Sequence, residues 1–119
     1  MARNEEELAR LKEHVLRGNP GKSGMGLIET VRITGEEAVD TAALQAFGTI
    51  DAVLDFTPPH AVGSSHLRCA IRSLRRKGSV SLMGFTTDFA EHAVILNDLT
   101  LKGKVMYERD DVTRFVKML

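Results

Sequence analysis

The chain has 119 residues, with 16 basic and 16 acidic side chains and no formal net charge. This length suits one domain with a single hydrophobic core. Balanced charge provides no overall field that would attract nucleic acid or an anionic membrane, so we expect neither as a partner. The single cysteine, Cys69, excludes an internal disulfide and a cysteine-based zinc site. Without an apolar stretch long enough for a signal peptide or a transmembrane helix, the sequence predicts a cytoplasmic protein.

The N-terminal segment predicts an amphipathic helix from Glu5 to about Leu16. Asn4 stands at the N-cap position, and acidic residues fill the first turn, where the helix dipole favours negative charge. Apolar residues recur on one side of this helix at Leu8, Leu11, Val15 and Leu16.

The next ten residues, RGNPGKSGMG, contain four glycines and a proline and predict a loop. Its GKS resembles the end of a phosphate-binding P-loop. Such a loop requires a glycine five residues before Gly21, where this chain has Leu16, and it must follow a strand rather than a helix. We therefore interpret the segment as a flexible connection.

A strand and a helix follow this loop. The segment Leu27–Thr34 is rich in β-branched side chains and predicts a strand. The sequence GEEAVDTAALQAF then predicts a helix whose inward face carries Val39, Ala42, Ala43 and Phe47.

The clearest strand is Ile50–Phe56, an apolar run typical of a strand with both faces covered. After two prolines, helical spacing predicts a helix from His60 to Lys77, with Gly78 as its C-cap. SVSLMG predicts another buried strand that ends at Gly84. The apolar positions of the predicted helix are Leu67, Ala70, Ile71 and Leu74.

The C-terminal part predicts a strand over Thr100–Tyr107 and a helix that begins in RDDVTRFVKML. The inward face of this helix would carry Val112, Phe115, Val116 and Leu119. Alternation of strands with helical segments predicts parallel strands joined by crossovers. We therefore predict that residues 1–119 form one α/β domain of three layers, with a mostly parallel sheet of about four strands.

Two polar features bear on chemistry. His66 and Cys69 lie three residues apart on a predicted helix, but a metal site needs three or four ligands, so we expect no metal and interpret the histidines as scattered surface residues. Asp55 stands at the carboxyl end of a predicted buried strand, the edge where open α/β sheets bind ligands. A ligand contact and a capping or turn role both remain open for Asp55.

Four segments, in order, resemble the nucleotide-binding domain of medium-chain, zinc-type alcohol dehydrogenases and reductases, particularly fungal members. They are RNEEELARLK, IDAVLDFTPP, AIRSLRRKGSVSLMG and LTLKGKVMYERDDVTRFVKML. The resemblance implies a Rossmann fold with parallel strands in the order 3-2-1-4-5-6 and hydride transfer between NAD or NADP and an alcohol or carbonyl. The first strand with its glycine fingerprint, and the zinc-bearing catalytic domain, have no counterpart in this sequence.

The resemblance also assigns cofactor-binding positions. Arg3 and Asn4 match residues beside the adenosine ribose and its 2′-phosphate in NADP-using members, and the other matches follow the fourth and fifth strands. Those matches are Phe56, Thr57 and Pro58, beside the cofactor, and Met83, Gly84 and Phe85, near the nicotinamide. No residue of this chain matches a catalytic residue or a zinc ligand of the family.

The resemblance therefore implies a partial NAD(P)-binding oxidoreductase domain that performs no hydride transfer unaided. Without strands 1 and 2 of the parent order, Leu27–Thr34 would lie about 10 to 15 Å from Ile50–Phe56, and the latter would become an exposed apolar edge. Two alternatives stay open: a partner chain or upstream sequence completes the site, or the chain is an interaction module. In the second case the interface would be either the exposed strand edge, which would form a homo-oligomer or bind a partner chain, or the arginine-rich predicted helix in RCAIRSLRRKG.

Overall fold

The computed structural model describes residues 1–18, 28–104 and 109–118, without the side chain of Leu16. Their helices and strands alternate as expected for an α/β fold. In chain order they are α1 (Glu5–Gly18), α2 (Glu37–Gln45), β1 (Ile50–Asp55), a 3-10 turn (Pro59–Ala61), α3 (His66–Arg72), β2 (Leu74–Leu82), α4 (Glu91–Leu96), β3 (Thr100–Gly103) and α5 (Arg109–Met118). Within these residues, no helix combines the length and apolar composition needed to cross a bilayer.

The sheet of the described residues has three parallel strands in the order β1-β2-β3, with Val53, Val80 and Leu101 in register. About four strands were predicted. The segment expected to supply another, Leu27–Thr34, is described from residue 28 and forms only a parallel bridge between Arg32 and Ala2. Because α1 begins three residues after Ala2, the chain there turns away before a second bridge can form.

The core lies between the sheet and α3. Leu67 and Ile71 on α3 are fully buried and pack against Val80 of β2, while Ala90 closes the cluster where α4 begins. The remaining side of α3 faces α2, where the Cys69 thiol donates a hydrogen bond to the Glu37 carbonyl at 3.7 Å. The predicted apolar positions on this helix are confirmed at Leu67 and Ile71.

The opposite face of the sheet is open among the described residues. Side chains that point there are exposed, including Ala52, Ser79, Thr100 and Lys102, and Leu54 is 68% exposed. The expected third layer is therefore not formed by the described part of the chain, and the prediction that both faces of Ile50–Phe56 are covered is wrong. The expected exposed edge is confirmed, since β1 pairs only with β2 in the described sheet.

The long helix predicted over residues 60–77 is replaced by three shorter pieces. A 3-10 turn at Pro59–Ala61 is followed by Gly63 with φ +86°, and α3 begins only at His66. β2 then starts at Leu74, with an irregular register before Ser79. Gly78 is not a helix C-cap but a buried residue of this irregular stretch, where an added Cβ would lie 3.0 Å from the Arg75 carbonyl oxygen.

Helix faces were predicted less well than helix positions. α2 turns Asp40 inward, whereas the expected inward residues Val39 and Phe47 are about half exposed, at 55% and 51%. On α5 the expected inward residues Val112, Phe115 and Val116 are exposed. These helices occur where the sequence predicts them, but the described residues do not cover the faces that it predicts to be buried.

The predicted N-cap of α1 is confirmed, and the last predicted strand is confirmed in part. Asn4 caps α1 as predicted, since its Oδ1 accepts hydrogen bonds from the backbone N–H groups of Glu6 at 3.0 Å and Glu7 at 3.4 Å. The strand predicted over Thr100–Tyr107 is present as far as Gly103. The remainder of that strand beyond residue 104, the glycine-rich loop after residue 18, and Leu119 lie outside the described residues.

Candidate functional site

A cleft of about 780 Å³ lies at the carboxyl end of β1. One side is formed by the N-terminal segment at Ala2 and Arg3, together with Ile33, and the other by Leu54–Pro58. His66, the first residue of α3, also lines it. Parallel strands in open α/β sheets present ligand sites at this edge.

The turn after β1 is fixed by backbone hydrogen bonds to the end of β2. The Asp55 carbonyl accepts from the N–H of Met83 at 3.0 Å, and the Thr57 carbonyl accepts from the N–H of Phe85 at 2.8 Å. Pro58 is extended, at φ −74° and ψ 157°, and has no N–H with which to continue a ladder. These hydrogen bonds hold residues 55–57, which line the cleft, against residues 83–85.

Asp55, Thr57 and His66 form a cluster, called here the carboxylate cluster, at the base of this wall. The Thr57 hydroxyl donates a hydrogen bond to Asp55 Oδ1. His66 Nε2 lies 2.7 Å from Thr57 Oγ1 and 3.2 Å from Asp55 Oδ1. The side chain of Asp55 is only 2% exposed, whereas that of His66 is 21% exposed and reaches the cleft surface. The cluster thus connects a buried carboxylate to an imidazole that a ligand can reach.

Gly84 is necessary for this arrangement. A Cβ at this position would lie 2.1 Å from the backbone nitrogen of Thr57 and 2.5 Å from Asp55 Oδ2. Asp55 Oδ2 is buried and accepts no hydrogen bond from the described residues. Only glycine lets the ends of β1 and β2 approach so closely.

The structure brings together several of the cofactor-binding positions predicted from the resemblance. Arg3, Phe56, Thr57 and Pro58 all line the cleft. Met83, Gly84 and Phe85 lie behind it, hydrogen-bonded to or packed against the turn after β1. Asn4 is not part of the lining and caps α1 instead.

His66 is the residue that sequence reasoning missed. It was interpreted as one of several surface histidines, and the structure corrects this, because its imidazole contacts a buried carboxylate. Asp55 takes the turn role that was one of its two open interpretations, since it accepts the hydroxyl of Thr57 two residues later. The sequence signal that could have predicted this contact is an acidic residue at the end of a strand, Asp55, followed by a histidine at the start of the next helix, His66. A βα turn brings these two positions together.

A second polar cluster joins α2, α3 and the loop before α4. Arg68 donates to Glu37 Oε1 through Nε at 2.7 Å and also pairs with Asp88, while Arg72 pairs with Glu37 as well. The hydrogen bond from Arg68 is the main cause that lowers the pKa of Glu37. Hydrogen bonding to Glu37 likewise raises the pKa of Arg68. Each charge in this cluster is compensated, which indicates a link between helices rather than a binding site.

Asp40 is a buried carboxylate with a structural role. It accepts hydrogen bonds from Thr34 N at 3.0 Å, Thr34 Oγ1 at 2.7 Å and Gly35 N at 3.2 Å. Burial raises the pKa of Asp40, but these three hydrogen bonds outweigh it and the net pKa lies below the ordinary value. Asp40 therefore fastens α2 to the segment that precedes it.

Neither cluster has the donor set of a metal centre: across residues 1–18, 28–104 and 109–118, no group of three or more His, Cys, Asp or Glu side chains could hold a metal ion. Comparisons of the chain with protein-family models, with curated proteins and with solved structures give no match.

Proposed function

We propose that the chain is a partial nucleotide-binding domain of the medium-chain dehydrogenase type, whose cleft receives NADP or NAD. In this proposal the oxidoreductase chemistry requires parts that these residues do not supply, and the chain alone transfers no hydride. The observation that carries the proposal is the cleft, which unites four positions assigned to the cofactor by resemblance: Arg3, Phe56, Thr57 and Pro58.

The order of the strands supports the proposal. The parallel order β1-β2-β3 is the one expected for strands 4-5-6 of a Rossmann sheet. The parallel bridge between Ala2 and Arg32 is the pairing expected between strands 2 and 3. The cleft separates these two groups, at the position of strand 1 in the parent order. On this interpretation the turn after β1 forms one wall of a dinucleotide site.

The same interpretation predicts weak binding. In Rossmann domains the glycine-rich turn after strand 1 and the helix N-terminus that follows it bind the pyrophosphate. The G-x-G-x-x-G pattern does not occur in this sequence, since Gly24 and Gly26 are followed by Glu29 where the third glycine is needed. We expect the unaided chain to bind NADPH or NADH with a Kd of about 1 mM or weaker.

Two-dimensional NMR during titration with NADPH and NADH tests this proposal. Shift changes should concentrate at Arg3 and residues 56–58, and Arg3→Ala should reduce the response to NADPH more than to NADH. Arg76→Ala removes an exposed arginine far from the cleft and serves as the control. Shift changes that avoid the cleft would contradict the proposed site. Micromolar affinity would contradict the expected weak binding, and turnover of an alcohol or ketone by the chain alone would contradict the expected inactivity.

A second candidate function is pairing through the free edge of β1, which would make a homo-oligomer or bind a partner strand. Leu54 is 68% exposed at this edge, and unpaired strand edges with apolar side chains tend to recruit another strand. Sedimentation of the wild type should show association that Leu54→Lys abolishes. Leu96→Lys, at a residue 77% exposed on α4, should leave it unchanged. A monomer at all concentrations would exclude self-pairing.

We also propose a cytoplasmic location. Cys69 is a free, buried thiol, and an unpaired cysteine in a core is compatible with a reducing compartment. Fractionation of cells that produce the chain tests this, and recovery in a secreted fraction would contradict it.

A further inference from the structure

The carboxylate cluster has a defined direction of hydrogen bonding. The hydroxyl of Thr57 has one proton and donates it to Asp55 Oδ1. Its oxygen can therefore act only as an acceptor toward His66 Nε2, 2.7 Å away. The proton between these two atoms must then belong to the imidazole, so that His66 Nε2–H donates to Thr57 and Thr57 donates to Asp55.

The burial of Asp55 favours this direction. Its Oδ2 is buried without a hydrogen-bond partner among the described residues, so Oδ1 receives all the hydrogen bonds that the carboxylate has there. A buried carboxylate with so few partners is costly unless the groups around it are donors. An imidazole with a bare Nε2 would place a second lone pair against Asp55 Oδ1 at 3.2 Å. The Nε2–H tautomer avoids this repulsion.

A neutral imidazole that carries its proton on Nε2 has a free lone pair on Nδ1. Nδ1 of His66 has no hydrogen bond within the described residues, and the ring lines the cleft with 21% of its side chain exposed. Besides His66 and its partner Asp55, the charged or titratable side chains that line the cleft are Arg3, Glu7 and His60. Of the two histidines in the lining, His66 is the one whose Nε2 contacts a buried carboxylate.

We propose that His66 Nδ1 accepts a hydrogen bond from a hydroxyl group of the ligand, and that Asp55 and Thr57 are positioning residues that fix the tautomer. Because the proposed function assigns the cleft to a nucleotide and this inference rests on it, the ligand hydroxyl is one of a ribose. The site would thus select a ribose with free hydroxyls over a deoxygenated one, as a buried or fixed acceptor discriminates against ligands that leave it unpaired.

The first test is the tautomer of the free protein, measured by long-range 1H–15N NMR of the histidine rings. When the His66 imidazole is neutral, it should carry its proton on Nε2 and none on Nδ1. Thr57→Val leaves Asp55 Oδ1 as an acceptor of that proton, 3.2 Å away, and should keep this tautomer. Asp55→Leu combined with Thr57→Val removes both acceptors and should allow the two tautomers of His66 to mix, while His92 on α4 should be unchanged. A proton on Nδ1 in the wild type, or an unchanged tautomer in the double variant, would overturn the proposal.

The second test uses adenosine and 2′,3′-dideoxyadenosine as probes in the same NMR experiment. Adenosine should bind about fivefold more tightly than the dideoxy compound, the effect of one hydrogen bond, and should shift His66 Nδ1. His66→Gln retains a donor near the Nε2 position without the Nδ1 acceptor and should remove this preference. His66→Asn places an amide oxygen near Nδ1 and should retain part of it. His92→Gln, outside the cleft, should change nothing.

The outcomes separate the two proposals. If nucleotides shift the cleft but bind His66→Gln and wild type with the same preference for free hydroxyls, the role of His66 is refuted while the nucleotide cleft stands. If neither adenosine nor NADPH shifts any cleft residue, the nucleotide function fails, and the role of His66 in binding a ribose fails with it.

Discussion

Substitution of Gly84 by alanine tests how closely the two strand ends approach. The new Cβ would lie 2.1 Å from Thr57 N and 2.8 Å from Thr57 Cα, whereas ordinary contacts begin at 3.4 Å. Two of the three nearest atoms belong to backbone, so no side-chain rotation relieves the clash. The ends of β1 and β2 must separate by about 1 Å, which strains the 2.8 Å hydrogen bond from Phe85 N–H to the Thr57 carbonyl.

Overpacking of this kind costs about 1 to 3 kcal/mol, and a weakened backbone hydrogen bond adds about 1 kcal/mol. We therefore expect Gly84→Ala to lower the free energy of unfolding by about 3 kcal/mol. With a urea dependence of about 1.5 kcal/mol per molar, the midpoint of unfolding followed by circular dichroism should fall by about 2 M. The shift should be accompanied by loss of the His66 tautomer preference, because the added Cβ displaces both Thr57 and the Asp55 carboxylate.

Gly103→Ala is the matched control. Gly103 ends β3, and a Cβ added there meets nothing within 4 Å. Its backbone does not have a positive φ, so the change should alter the free energy of unfolding by no more than about 0.5 kcal/mol. Equal urea midpoints for Gly84→Ala and wild type, with Gly103→Ala behaving as expected, would refute the close approach of the strand ends.

Three further substitutions test the core and the charged clusters by urea unfolding. Asp40→Asn should cost about 1 to 2 kcal/mol at neutral pH. The folded state lowers the pKa of Asp40, so the ionised carboxylate stabilises the fold fully above its ordinary pKa and loses this effect as the pH falls through its folded-state pKa. The difference in unfolding free energy between Asp40→Asn and wild type should therefore shrink in acid, and a difference that grows would contradict the prediction. Arg68→Ala should lower the free energy of unfolding by about 1 kcal/mol, because it removes the ion pairs with Glu37 and Asp88, whereas Arg76→Ala should leave it almost unchanged. Equal losses for the two variants would argue that the Arg68 ion pairs do not stabilise the fold. Ile71→Ala should cost about 3 kcal/mol and Leu96→Ala less than about 0.5 kcal/mol, since the first is fully buried and the second 77% exposed; the reverse order would contradict the assigned core.

Among the strands, β1 was predicted well because its signal is local. β1 is a β-branched and apolar run, and its end is marked by prolines, so the predicted Ile50–Phe56 differs from the observed Ile50–Asp55 by one residue. The prediction of one long helix over residues 60–77 is wrong, because apolar spacing does not reveal backbone breaks. Pro59 and Gly63 favour a 3-10 turn and a positive φ before His66, and the arginines after Leu74 belong to an irregular strand.

The burial of helix faces was not predictable from periodicity alone. On α2 the one fully buried side chain is Asp40, whose carboxylate is compensated by Thr34 and Gly35. Hydropathy assigns aspartate to the surface because it does not include hydrogen bonds that only the folded chain provides. His66 was missed for the same reason, since its partner Asp55 is 11 residues away in sequence and the contact depends on the turn between them.

The two candidate functions involve neighbouring but different parts of β1. A strand that pairs with the free edge would hydrogen-bond to the backbone of residues 50–55, whereas a nucleotide in the cleft would contact the turn at Phe56, Thr57 and Pro58, beyond the end of the ladder. A pairing strand would also cover Leu54, which is exposed at the sheet edge and lines the cleft. Each event would therefore order the same wall without occupying the same hydrogen-bonding groups. Reciprocal coupling follows: whatever pairs with β1 should change nucleotide affinity by the same factor by which the nucleotide changes the affinity of pairing.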